Sequence, residues 1–200
     1  MANLSNCYNV FHLRDQYAQT PDEFKEEIYL KYRIQFDPCP VDPTFDGLSV
    51  SWKDVSYVNP PFSNSFNFLI KALIEWLKGN KSVFLLPFYP YNRLWKYIIW
   101  PLRDKKLVKL EFLRKKLTFK NYDKSYPFSL VLIVFKDVRP VCLACEFLSL
   151  LPLLRKALSK PGLSVHKRDR KDFNRLLREL SQHSQIILSD SKREKQHEVL

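Results

Sequence analysis

Residues 59–62 of the chain are Asn-Pro-Pro-Phe, and they directly follow a short apolar segment. Pro60 and Pro61 have fixed φ angles and donate no N–H, so the loop is stiff and the Pro60 carbonyl is free to accept a hydrogen bond. A planar amino group has two protons, and the Asn59 side-chain oxygen and the Pro60 carbonyl can accept one each. Phe62 can stack on the ring that carries this group. The loop suits the orientation of a planar –NH2 nitrogen; the alternative is a proline turn that ends a buried strand.

The segment before this loop combines a capped helix, a short strand and an acidic turn. Thr20 has the N-cap position and Pro21 the first helical position, and a glutamate three residues after the cap completes the pattern of a helix over 21–31. Residues 34–36 predict a short strand that ends in the turn Asp37-Pro38-Cys39. An α/β sheet builds its ligand site at the carboxyl ends of its strands, so Asp37 is a candidate binding residue.

Helix and strand patterns also alternate around and after the loop. Apolar spacing predicts strands and helices over the following ranges: strands 55–58, 82–88, 108–112 and 128–135, helix 66–77 with Gly79 at its C-cap, and helix 92–100, stopped by Pro101. The interval 38–58 has no room for two further strand–helix units of about 30 residues each. The sequence therefore predicts an α/β fold with an abbreviated Rossmann-like sheet and a partly antiparallel end.

Glycine and cysteine usage limits the chemistry of the site. The three glycines, Gly47, Gly79 and Gly162, form no Gly-x-Gly loop, so a nucleotide-like cofactor would be held by other groups. The four cysteines are too scattered for a disulfide framework, and we expect reduced thiols. Cys142 and Cys145 have C-x-x-C spacing without a second Cys/His pair, so we expect core packing there and no metal site.

Composition and charge indicate the class of partner. The chain has 200 residues and 46% hydrophobic content, enough for one domain with a core. Its net charge is +12, from 33 Lys and Arg against 21 Asp and Glu, which indicates a polyanionic partner, of which nucleic acid fits best; a solvated basic surface is the alternative. We find neither a signal peptide pattern nor an apolar run of the ~18 residues that a membrane span needs. We therefore expect a soluble, intracellular protein of the cytoplasm or nucleus of a host cell.

The C-terminal part differs from the rest in charge. We expect a loose lead-in over 1–16, a catalytic domain over 17–136 and a basic, mainly helical extension over 137–200. In the extension, the apolar run 141–154 is expected to pack on the domain, and an amphipathic helix has apolar positions at Phe173, Leu176, Leu177 and Leu180. From Ser189 onward the pattern is that of a frayed end. Residues 151–200 contain 12 Lys and Arg and 6 Asp and Glu, so this helix is either a solvated face or a DNA phosphate contact.

Several of these motifs together resemble one enzyme family, the phage-type (Dam-like) DNA N6-adenine methyltransferases. The resemblance is carried, in chain order, by Thr20-Pro21, Phe36-Asp37-Pro38-Cys39, Asp46-Gly47-Leu48, Trp52, Tyr57-Val58-Asn59-Pro60-Pro61-Phe62 and Leu85-Leu86-Pro87. It continues in residues 112–119, similar to the basic hairpin of the family, and in residues 126–129, which lead into its final strand. The resemblance covers about 17–135, and the tail from Asp137 has no counterpart.

The resemblance implies a cofactor, a substrate and roles for individual residues. The cofactor would be S-adenosylmethionine, bordered by Thr20 and Pro21 and contacted by the turn Asp37-Pro38-Cys39. The loop 59–62 would hold an adenine flipped out of DNA. Arg114, Lys115 and Lys116 would contact DNA phosphates, although the family hairpin usually has Gly-Arg where this chain has Lys115-Lys116, and lysine lacks the planar fork of arginine. Phe62 replaces the commoner tyrosine and keeps the stacking face.

Other functions are compatible with the same residues. RNA bases and protein glutamine side chains also present a planar nitrogen, so a methyltransferase acting on either is an alternative. A third possibility is a non-catalytic, DNA-binding relic of the fold. In each case we expect no membrane association, and the chain is expected to be a monomer or a weak dimer.

Overall fold

A computed structural model describes residues 18–159 and 167–197 of the chain. The lead-in expected over 1–16 lies outside these ranges. In the part of the chain that the structure describes, no helix combines the length and the apolar character needed to cross a membrane.

The centre of the fold is a four-stranded mixed sheet. Its strands are β1 (Val55–Val58), β2 (Lys81–Pro87), β3 (Val108–Phe112) and β4 (Leu130–Phe135), in the order β1-β2-β4-β3. β1 and β2 are parallel, whereas β4 is antiparallel to both β2 and β3. The expected α/β fold with a partly antiparallel end is therefore confirmed. The strand predicted over 34–36 is reduced to one parallel bridge between Phe36 and Ser56, and it still places Asp37 at the carboxyl edge of the sheet, beside the end of β1.

Helix α1 (Asp22–Tyr32) lies on one face of the sheet and ends at Arg33, which has the left-handed conformation with φ 55°. The predicted capping of this helix is wrong in detail. Pro21 is the N-cap, its carbonyl accepts the hydrogen bond of Lys25 N at 2.9 Å, and no side chain caps the helix. The Thr20 hydroxyl therefore contacts residues outside the helix.

Helix α2 (Ser65–Leu77) lies on the opposite face, and all of its residues except Phe66 are buried. Its two charged residues, Lys71 and Glu75, are buried as an ion pair at 2.8 Å. A helix buried on all sides must be covered on all sides, and here the sheet covers one side of α2. The helix ends as predicted, because Gly79 has φ 94° and its N–H donates to the Trp76 carbonyl at 3.0 Å. Trp76 packs on Phe135 of the sheet with ring centroids 4.6 Å apart.

The other side of α2 is covered by two helices from the C-terminal part, α4 (Pro140–Ser159) and α5 (Lys167–His197). The buried side chains of these helices join the core formed by α2 and the sheet; they include Leu143, Phe147, Leu150, Leu154, Leu176, Leu177 and Leu180. The packing predicted for the apolar run 141–154 is confirmed, and the end expected to be frayed from Ser189 is helical to His197. The core packing expected for Cys142 and Cys145 is wrong, since Leu143 and Ala144 take the buried positions and both cysteines are exposed.

Between β2 and β3 the chain forms a π-helical turn over Trp95–Ile99 that continues into helix α3 (Trp100–Asp104). We predicted that Pro101 stops this helix, and the prediction is wrong. Proline has no N–H, and its ring displaces the carbonyl four residues earlier, so a regular ladder cannot continue through it. The wider π turn directly before Pro101 accommodates this fault, and the helix proceeds for one more turn.

Candidate functional site

A cavity of about 310 Å³ opens at the carboxyl edge of the parallel pair β1 and β2, between α1, the turn after Phe36 and the Asn-Pro-Pro-Phe loop. Small-molecule sites in proteins begin at about 300 Å³, so the cavity has the size of a binding site. It brings together most of the residues that the sequence nominates, which are Thr20, Asp37, Pro38, Cys39, Asn59, Pro60 and Pro61.

The side chain of Asn59 is held in one orientation. Its amide nitrogen donates to the Ala18 carbonyl at 2.7 Å and to the Thr20 hydroxyl oxygen at 3.1 Å. The opposite orientation would place the amide oxygen against the Ala18 carbonyl, which has no proton to offer. The Oδ1 atom of Asn59 is buried and has no hydrogen-bond partner among the described residues. A buried acceptor without a partner costs about 1–3 kcal/mol, so this site contains an acceptor that a ligand proton would stabilise.

The Thr20 hydroxyl connects Asn59 to the buried ring of Tyr57. Its oxygen lies 2.9 Å from the Tyr57 hydroxyl, in addition to the bond that it accepts from Asn59. Burial raises the pKa of Tyr57 far above its ordinary value, and the Thr20 hydrogen bond offsets only part of this effect. Tyr57 is therefore a neutral phenol. Since Asn59 donates to Thr20, the Thr20 proton is available for the Tyr57 oxygen, and the three side chains form one network.

Asp37 is the second polar centre of the cavity. Its Oδ2 atom accepts hydrogen bonds from Lys25 at 2.9 Å and from Tyr29 at 3.3 Å, and its Oδ1 accepts one from the Cys39 N–H at 2.9 Å. Burial and the negative charge of Asp37 raise the pKa of Tyr29 to about 12. Burial lowers the pKa of Lys25, but its hydrogen bond and charge interaction with Asp37 outweigh this effect and the pKa is raised. Asp37 thus faces the cavity as a fixed carboxylate with a cation beside it.

The floor of the cavity depends on a close approach between two turns. A Cβ atom on Gly47 would lie 2.0 Å from the Pro38 carbonyl oxygen, so only glycine fits here. The Gly47 carbonyl accepts a hydrogen bond from the Trp52 indole at 2.8 Å. Next to Pro38, burial raises the pKa of the Cys39 thiol well above its usual range, and the charge of Asp37 adds to this effect. Cys39 is therefore a neutral thiol.

Five nominated residues do not line the cavity. Pro21 starts α1 beside it, and Phe62 is half-buried in an aromatic cluster, where its ring meets Tyr126 at 5.8 Å and Phe119 at 6.3 Å. The basic turn, defined as Arg114, Lys115 and Lys116, is exposed in the 113–129 segment that joins β3 to β4. The antiparallel pairing of these strands agrees with the hairpin expected from the sequence.

Sequence reasoning missed several lining residues. They are the aromatic residues Phe45, Tyr57 and Phe68 and the charged residues Asp22, Lys25, Asp46 and Lys120. Lys25 could have been identified from the sequence, because it follows Pro21 by one helical turn and therefore lies near the start of the same helix. Lys120 could not have been, because its ion pair with Asp22 joins segments that are 98 residues apart.

Within 18–159 and 167–197, no group of three or more His, Cys, Asp or Glu side chains is arranged to hold a metal ion. Comparisons of the chain with protein-family models, with curated proteins and with solved structures found no significant match. The residues of the cavity are therefore the basis on which a function is inferred.

Proposed function

We propose that the protein is an S-adenosylmethionine-dependent methyltransferase that methylates the N6 nitrogen of adenine in DNA. One observation carries the proposal. Asn59 lines the same cavity as Asp37, its carboxamide is fixed by two bonds from its nitrogen, and its buried oxygen is left without a partner. An acceptor held in this way is what an exocyclic amino group needs.

The acceptor half of the site consists of the Asn-Pro-Pro-Phe loop. Asn59 Oδ1 and the Pro60 carbonyl each take one proton of the adenine amino group, so the nitrogen lone pair points into the cavity. Thr20 and Ala18 keep the Asn59 carboxamide from rotating. Positioning is the main source of rate in such a direct displacement and is worth up to about 7–11 kcal/mol in intramolecular models.

The cofactor half of the site consists of α1 and the turn at Asp37. The residues fit an adenosyl cation, because Asp22, Asp37 and Asp46 outnumber Lys25 and Lys120 in the cavity and Phe45 supplies ring surface. When bound, S-adenosylmethionine supplies an electrophilic methyl group on a sulfonium. Asp37 would accept hydrogen bonds from its hydroxyl or amino groups, while Lys25 and the Cys39 N–H hold the carboxylate in place.

The test is labelled methyl transfer by the wild type and by Asn59→Ala, with Ser63→Ala as control because Ser63 is exposed in the next turn of the chain. Substrates are mixed-sequence DNA, RNA and a glutamine-rich protein, and the DNA is digested to nucleosides for mass spectrometry. We expect N6-methyldeoxyadenosine from the wild type and from Ser63→Ala. We expect Asn59→Ala to lose on the order of 10²–10³-fold in kcat, as when one preorganised polar contact is removed. Calorimetry with S-adenosylmethionine should give the same affinity for all three proteins.

The outcomes separate the parts of the proposal. Wild-type turnover by Asn59→Ala would show that the catalytic assignment is wrong. Label in RNA or in glutamine, with none in DNA, would keep the cofactor and change the acceptor. A folded wild type that does not bind S-adenosylmethionine would refute the cofactor and favour the non-catalytic relic.

A further inference from the structure

An aromatic patch of three exposed rings and one half-buried ring lies at the same edge of the sheet as the cavity. We define the patch as Tyr89, Tyr91, Phe112 and Phe128. Tyr91 is 96% exposed, Phe112 is 50% exposed and Phe128 is 43% exposed. Pro87 at the end of β2 pairs with Leu130 at the start of β4, and Phe112 at the end of β3 pairs with Val131, so the segments that carry these four residues leave the same edge of the sheet.

A continuous series of ring contacts joins this patch to the Asn-Pro-Pro-Phe loop. The Phe62 ring meets Tyr126 at 5.8 Å, Tyr126 meets Phe128 at 5.8 Å, and Phe128 meets Tyr89 at 5.1 Å. Tyr91 lies two residues after Tyr89 in the same loop. The patch therefore begins beside the proposed target position and extends outward from it.

The surroundings of the patch are basic. The segment 112–129 contains five Lys or Arg residues and one Asp, and the basic turn begins two residues after Phe112. Arg114, Lys115 and Lys116 are all exposed. Positive charge beside exposed rings is the combination found in sites that bind single strands, where the charges follow the phosphates and the rings stack on bases.

We propose that the aromatic patch and the basic turn together bind an unpaired DNA strand next to the target adenine. The proposal rests on the function proposed above and specifies its substrate as single-stranded or locally opened DNA. In a duplex, both faces of each base are covered by neighbouring pairs, so rings on a protein surface can stack only on bases that have left the duplex. Tyr91 and Phe128 are the stacking residues, and Lys115 and Lys116 hold the phosphates.

The experiment measures binding, so it does not depend on activity or on S-adenosylmethionine. Fluorescence anisotropy is recorded with one labelled DNA oligonucleotide, first as a single strand and then as a duplex. Unlabelled RNA of the same sequence is added as a competitor in a separate titration. We expect the single strand to bind at least about tenfold more tightly than the duplex. Tyr91→Ala and Phe128→Ala should each weaken single-strand binding by about fivefold to a hundredfold, the range for loss of one base–aromatic stack. Tyr91→Phe keeps the ring and should bind like the wild type.

Two further variants complete the design. Ile186→Ala removes an apolar side chain that is 57% exposed on α5, the helix that packs against α2 and α4. This variant should leave binding unchanged. Replacing Lys115 and Lys116 by alanine should lower the slope of log affinity against log salt by about 0.7 for each lysine.

Several results would overturn the inference. They are equal or tighter binding of the duplex, wild-type affinity of both Tyr91→Ala and Phe128→Ala, or tighter binding of RNA than of DNA. In the first two cases N6-adenine methylation by the wild type would leave the proposed function standing. Conversely, single-strand binding that depends on Tyr91 in a protein without methyl transfer would support the patch and refute the enzyme.

Discussion

Helices α1 and α2 pack on opposite faces of one sheet, and they are held there by different forces. Every residue of α2 except Phe66 is buried, whereas Ile28 is the one residue of α1 that is fully buried. Because α1 buries so little apolar surface, polar contacts near its two ends also hold it against the rest of the protein. Lys31 and Tyr32 each bond to Glu111 at 2.7 Å, and Lys25 bonds to Asp37 at 2.9 Å.

This difference explains the position of the cavity. Dense packing on both sides of α2 encloses even its Lys71–Glu75 ion pair, as expected for a close-packed interior, and it leaves no room for a ligand there. Binding a polar ligand requires exposed carboxylates, fixed hydroxyls and room, and these occur where burial is light. The cavity accordingly lies beside α1, and two of its charged residues, Asp22 and Lys25, belong to that helix.

The largest effect is expected where α5 covers α2. Leu180→Ala removes a fully buried side chain, and we expect the free energy of unfolding to fall by about 2–5 kcal/mol in urea denaturation. Ile186→Ala on the same helix is the matched control and should change it by no more than about 0.5 kcal/mol. Equal effects of the two variants would contradict the view that α5 completes the core.

On the α1 side, Thr20→Val tests the network at the cavity. It keeps the shape of the side chain but leaves the Tyr57 hydroxyl and one Asn59 proton without a partner, so we expect a loss of about 1–3 kcal/mol in unfolding free energy. Thr20→Ser retains the hydroxyl, so its unfolding free energy should be close to that of the wild type. Thr44→Val, at an exposed position, is the control for the substitution itself; if Thr20→Val is as mild as Thr44→Val, the network contributes nothing.

The smallest effect should appear in acid, at the far end of α1. Burial on its own raises the pKa of Glu111. The hydrogen bonds from Lys109, Lys31 and Tyr32 outweigh burial, and together they lower the pKa from the ordinary 4.5 to about 2. A lowered folded-state pKa means that ionised Glu111 stabilises the fold above pH 4.5 and that this stabilisation is lost as the pH falls toward 2.

We therefore expect the wild type to lose up to about 1 kcal/mol more than Glu111→Gln between these pH values, an amount limited by solvent screening. Unfolding free energies from urea titrations at several pH values provide the measurement. Glu27→Gln, exposed on α1, controls for the loss of one carboxylate. Parallel pH profiles of the wild type and Glu111→Gln would show that this contact does not help to hold α1.

Much of the fold was predictable because its signals are local. The apolar periodicity of α2, the Gly79 cap and the continuous apolar run of β2 each depend on neighbouring residues, and the structure has these elements within one or two residues of the predicted ends. Pro101 misled the prediction because its effect depends on the conformation of the turn before it. Cys142 and Cys145 misled it because an apolar run does not reveal which side of its helix faces the core.

The residue types alone define the chemistry of the loop: an amide oxygen beside two prolines and an aromatic ring, with Asp37 at a strand end, in a basic α/β chain. How these groups are used depends on contacts between segments that are distant along the chain. Thr20 was expected to cap a helix, and instead it joins Tyr57 and Asn59, which are 37 and 39 residues away. Such contacts depend on how α1 packs against β1, and burial at that contact makes one orientation of Asn59 much more stable than the other.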